Sequence, residues 1–212
     1  MNILRKGFVF VAGMFLLPAC SLVAGKREDL TVYAPALVHA SSSHAARAWQ
    51  LVVAEPKAIG PLNGNRIVVF AQPGVVQFYK GARWHDSAPV LIQEMLLQAF
   101  QDSANLAGTD TPSSGLRADF VLQSDLQEFQ AEYRNAQVPT VVIRLSTQFV
   151  DNSINRALAT RTFTVEQPCT GTDLPSVFAA FQEALNRTLP QVVAWAAETG
   201  DVNWQAKHPA IP

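Results

Sequence analysis

The 212-residue chain carries 16 Lys and Arg against 17 Asp and Glu, a formal net charge of −1, and is 49% hydrophobic but only 16% charged. A balance this close to neutral argues against a nucleic-acid binder, the high hydrophobicity against intrinsic disorder, and two cysteines against a disulfide scaffold or four-cysteine zinc site. The length allows one domain or two small ones, and uncharged polar residues, among them 15 Gln, take the place that charge usually fills.

The chain opens on an export signal. Arg5 and Lys6 precede an uninterrupted apolar run from Phe8 to Leu17. As a helix this run spans about 15 Å, half of a ~30 Å hydrocarbon core, so it fits a signal peptide better than a membrane span. Leu17-Pro18-Ala19-Cys20 follows. A large aliphatic residue three places before a cysteine, and a small one directly before it, resemble a bacterial lipobox; Pro18 departs from the small residue usual there. The resemblance implies removal of a signal peptide over 1–19 and acylation of Cys20. Covalent lipid on Cys20 is the only cofactor expected, and it anchors the chain at about 0.8 kcal/mol per buried methylene. Ser21, where Asp would favour retention, points by the same resemblance to the outer membrane. Residues 20–29 form the acylated cysteine and a tether of at most about 30 Å. Without residues 1–19 the chain keeps 14 basic and 17 acidic residues, net −3. Cys169, in Gln167–Gly171, then lacks a disulfide partner. It is expected in a loop as a buried, inert thiol, the alternative being a reactive one.

Residues 30–198 read as one domain and 199–212 as a loosely ordered tail. Leu30–Ala34 and Trp49–Ala54 are strand candidates, separated by a soft Ala/Ser-rich stretch with His39 and His44. Arg66–Phe70 is an apolar run bounded by turns, and Val75–Tyr79 follows it, closed by Lys80-Gly81. Ser87-Ala88-Pro89 opens a helix whose stripe is Ile92, Leu96, Ala99 and Phe100. Residues 105–115 read as a loop. Period-2 alternation then marks three strands, Ala118–Phe129, Val141–Phe149 and Arg161–Val165, paired as hairpins. Their Gln- and Thr-rich opposite face stays wet without charge. Pro175–Glu198 is a helix capped by Asp173 or Thr172, expected to kink or split near Asn186–Leu189 because Pro190 removes a donor. The order gives an α/β fold: one mixed sheet of six or seven strands flanked by two main helices, sandwich-like.

The usual chemical motifs are missing. Neither a phosphate-binding G-x-x-x-x-G-K-[ST] nor G-x-G-x-x-G occurs, and no G-x-S-x-G marks a nucleophile. His39, His44, His85 and His208 make no metal-ligand pair. Asp125 and Glu128 fall on opposite faces of a strand and read as solvated. The chain is therefore read as a non-enzyme without a metal.

The densest polar-aromatic cluster is Phe78-Tyr79-Lys80-Gly81-Ala82-Arg83-Trp84-His85. Tyr, Trp and Arg are favoured interface anchors. Tyr79, Arg83 and Trp84 are thus either interaction residues or a structural plug between strand and helix. A strand such as Arg66–Phe70, a second ending in Tyr79, then Arg83-Trp84 and a proline before an apolar helix, resembles the ABC-type transport auxiliary lipoproteins. The likeness extends over about 20–197, including Tyr33 and the closing helix. It implies an α/β sandwich with helices on both sides of a mixed sheet. It also implies a periplasm-facing lipoprotein working beside an ABC permease and an MCE-domain protein, in a system that moves lipids or other hydrophobic molecules between membranes. Such a component docks and assembles, and a ring-forming homo-oligomer is among the arrangements implied. Two rival readings are a lipid carrier and a regulatory lipoprotein docking on a cell-wall synthase.

Overall fold

The computed structural model describes residues 30–37 and 45–209. The signal peptide, Cys20, the tether, His39 and His44 lie outside the described residues. Eight strands and two main helices follow one another: β1 (Thr31–Tyr33), β2 (Gln50–Val53), β3 (Arg66–Gln72), β4 (Val75–Trp84), α1 (Ala88–Ser103), β5 (Gly108–Asp110), β6 (Phe120–Glu132), β7 (Thr140–Asp151), β8 (Arg156–Pro168) and α2 (Leu174–Lys207). The fold is α/β around one mixed sheet. The eighth strand is β5, three residues within the stretch expected to be loop, held by parallel pairing with β2.

β6 organises the sheet. One edge pairs antiparallel with β7 along its whole length, and β7 pairs in turn with β8. The other edge is shared: β2 runs parallel to Phe120–Leu122, and β3 parallel to Gln130–Glu132. Between them Lys57 bridges to Asp125. Beyond β3 lie β4, antiparallel, and then β1, parallel to β4. The alternation read in the sequence fits this pairing. Phe120, Leu122 and Leu126 of β6, with Ile143, Leu145 and Phe149 of β7, are buried, whereas Gln123, Gln127, Arg144, Gln148, Thr162 and Thr164 are exposed.

α2 packs on β7 and β8 and also against α1. That contact puts both helices on the same side of the sheet, where the resemblance implied one on each. One core joins them. Its aromatic side chains form two groups: Trp84 with Phe129 (5.3 Å between centroids) and Phe181 (5.0 Å), and Trp49 with Phe120 (5.4 Å) and Phe149 (6.1 Å). Edge and tilted contacts of this kind add to the burial itself.

α2 is capped as expected, the Asp173 carboxylate accepting from the Ser176 N–H at 3.0 Å. Two features differ from the sequence reading. The helix is continuous through Pro190, which lies on its exposed side while Leu189, Val192 and Val193 are buried. It also extends to Lys207, through most of the expected tail. Packing supplies the reason. Lys207 reaches Asp151 at 2.6 Å, and the Trp49 indole N–H donates to Asp201 at 2.9 Å. Ser87 precedes α1, but its side chain makes no capping hydrogen bond.

Candidate functional site

The cluster singled out by sequence lies on β4, which runs past Tyr79 to Trp84 instead of closing at Lys80-Gly81. Gly81 has φ of +66°, a left-handed conformation open to glycine, and the β3–β4 register slips across this stretch. The chain therefore bulges without leaving the sheet.

The three named residues do not act together. Trp84 is 1% exposed and sits in the core against Phe129, Phe181 and, at 6.4 Å, Phe178. It is the plug, not a surface anchor. Tyr79 is half-buried near Tyr133 and Cys169. Burial pushes its hydroxyl well above the ordinary range, reinforced by both neighbours. Cys169 is buried as expected and directly follows β8, its N–H donating to the Pro139 carbonyl at 3.0 Å. Burial raises its thiol, offset in part by a backbone hydrogen bond from Val141.

Arg83 faces the other way. In β4 it stands opposite Arg66 of β3 and beside Val32 of β1. Paired residues share a face, so all three project from the outward side. The Arg66 guanidinium lies 3.7 Å from the centre of the Phe78 ring. Among the described residues no carboxylate pairs with Arg66 or Arg83, and the Arg83 Nε is enclosed without an acceptor. Exposed apolar side chains lie on the same side: Val32 (47% exposed) opposite Arg83, Leu30 (54%) just before β1, and Val76 (40%) farther along β4 opposite Phe70. Sequence reasoning missed Arg66, because only the register across the bulge brings it to Arg83.

A second feature lies between α2, the end of α1 and Arg47. It is a cavity of about 450 Å³ lined by Pro190, Val193, Ala194, Ala197 and Val202, with Arg47 and Asp201 paired at 2.9 Å on its rim. The remaining histidines are engaged, His85 with Glu94 at 3.2 Å and His208 stacked on Trp204. Among the described residues no group of three His, Cys, Asp or Glu is placed to hold a metal ion.

A family model for the ABC-type transport auxiliary lipoprotein component matches residues 30–193. The crystal structure of a Xanthomonas campestris protein superposes with a TM-score of 0.76 at 33% identity, covering 82% of this chain and 99% of that one. A second solved structure, of an uncharacterized protein, has a TM-score of 0.56 at 14% identity, covers 84% of this chain and 98% of its own, and shares the fold. An uncharacterized protein of Bradyrhizobium diazoefficiens is 27% identical over 146 residues, 68% of this chain. The chain spans 38% of that relative's length.

Proposed function

Because the chain belongs to the ABC-type transport auxiliary lipoprotein family, we propose that it is the anchored docking component of an MCE-type system that moves lipids or other hydrophobic molecules across the envelope. The observation that carries this reading is the family match over residues 30–193, which takes in all eight strands, α1 and most of α2. The role is positional rather than catalytic. Acyl chains on Cys20 hold the body on the outer membrane, facing the periplasm. The body receives the MCE-domain protein, and ATP is hydrolysed by a separate subunit beside the permease. Among the described residues no helix is long and apolar enough to cross a membrane.

The test is photocrosslinking in cells from exposed positions away from the β4 face, Ile154 in the β7–β8 turn and Val202 on α2. Capture of an MCE-domain protein is expected from at least one of them. Capture of a cell-wall synthase instead, or of no MCE-domain protein from either, overturns the reading.

The cavity beside Arg47 favours a second reading, a carrier that holds a lipid itself. Its volume falls in the range of small-molecule sites and its wall is largely apolar. Native mass spectrometry of the full chain decides between them, since a carrier retains a noncovalent lipid and a docking component does not.

A further inference from the structure

The outward side of β1, β4 and β3 joins two properties that rarely coexist without a ligand. Arg66 and Arg83 are directly opposite across the strand pair, and like charges so placed repel. Among the described residues no ion pair to a carboxylate offsets this. Of the acidic side chains on β6, Glu132 is taken by Arg134 at 2.6 Å, Asp125 lies farther along at the Lys57 bridge, and Glu128, the nearest in register, makes no ion pair with either arginine. Leu30, Val32 and Val76 are exposed on the same sheet, with the Phe78 ring under Arg66. Guanidinium groups set among aliphatic and aromatic side chains suit the boundary between lipid headgroups and acyl chains.

We infer that this face seats on the membrane that carries the anchor, with Arg66 and Arg83 taking the phosphates of anionic phospholipids. The inference rests on the anchored-lipoprotein reading above. Two observations select this occupant. The charge is complementary, because a phosphate accepts from a guanidinium fork and relieves the repulsion between the arginines. The path of the chain agrees: the ten residues from Cys20 to Leu30 reach at most about 35 Å, and Leu30 is itself part of the face. An acylated Cys20 therefore keeps this side of the body within reach of the bilayer.

The test uses the mature chain from residue 20 onward carrying Cys20→Ala, so that neither the Phe8–Leu17 run nor an acyl anchor contributes. Its co-sedimentation is measured with vesicles of equal parts phosphatidylglycerol and phosphatidylcholine, and with vesicles of phosphatidylcholine alone. Binding is expected only to the first, and salt weakens it. Each basic residue at an anionic surface contributes roughly a factor of five, so Arg66→Gln/Arg83→Gln together lower the affinity roughly thirtyfold. Arg187→Gln, an exposed change on α2 across the sheet from this face, leaves affinity unchanged. Should the double variant misfold by circular dichroism, Arg66→Gln alone, at an exposed position, still lowers affinity about fivefold.

Equal binding to both vesicle types overturns the inference, as does affinity unchanged by Arg66→Gln. Binding of inorganic phosphate alone as tight as that of anionic vesicles reassigns the site to a soluble anion. A dimer in solution that Arg66→Gln dissolves reassigns the face to a second copy. Neither result touches the transport reading, which is decided by the crosslinked partner, nor the anchor, which is decided by the acyl mass on Cys20.

Discussion

Trp84 settles what its side chain is for. A buried indole packed on Phe129, Phe178 and Phe181 holds the end of β4 to the first turns of α2. Removing it leaves a cavity that the surrounding rings cannot fill. Trp84→Ala is expected to cost about 3–5 kcal/mol in equilibrium urea unfolding. A loss below about 1 kcal/mol would mean that the indole is not a core element. Asp151 is the second informative residue. Burial alone raises a carboxyl, but the hydrogen bonds from Lys207 and Ser153 outweigh it and hold Asp151 below the usual range. A depressed folded value means that ionised Asp151 adds stability above about pH 4, the unfolded value, and that this is lost as pH falls through the folded one. Lys207→Met should therefore lower stability at pH 7 by about 1–2 kcal/mol. That is less than for a fully buried pair, because Lys207 stays 37% exposed. The gap between variant and wild type narrows as pH falls below 4, and chemical denaturation at several pH values reads it directly.

At the scale of elements, the hairpins were legible and the irregular joins were not. Strands β6 to β8 show period-2 alternation because one face is core and the other is solvent. The extension of β4 was hidden because Gly81 has the signature of a turn, whereas here its positive φ makes a bulge. That misreading also hid Arg66 as the neighbour of Arg83. Of the candidate residues, Tyr79, Arg83 and Trp84 were visible as a cluster. Their split to opposite faces follows from the pleat and the bulge together. Gly200 lies just past Glu198, where the sequence reading ended α2, yet the helix passes through it, and the Trp49 ring occupies the space a side chain would need. A Cβ there would lie 2.7 Å from Cη2 and 2.8 Å from Cε2 of Trp49. Glycine to alanine in an exposed helix usually gains about 1 kcal/mol. Gly200→Ala is instead expected to lose about 1–3 kcal/mol through overpacking, measured by the urea midpoint. A gain would show that Trp49 does not lock α2.

At the scale of the whole molecule, charge and lipid have separable roles. Residues 20–212 carry a net charge of −3, so the body as a whole has no attraction to an anionic bilayer, and an electrostatic contact has to be local, as proposed at Arg66 and Arg83. A contact of two guanidinium groups is weak and screened: the Debye length falls from about 10 Å at 0.1 M salt to about 3 Å at 1 M. Acyl chains are insensitive to salt, because their binding comes from buried methylenes. The two contributions therefore part under a high-salt wash. Wild-type protein, acylated at Cys20 on the proposed reading, stays in the membrane fraction at any salt concentration. Cys20→Ala, exported behind a signal whose removal does not need the cysteine, keeps at most a low-salt association and is released in full at 1 M salt, as followed by fractionation and immunoblotting. Retention of Cys20→Ala after that wash would mean that the body holds the membrane without its lipid, and would overturn the anchor. Release of the wild type under the same wash would do so as well.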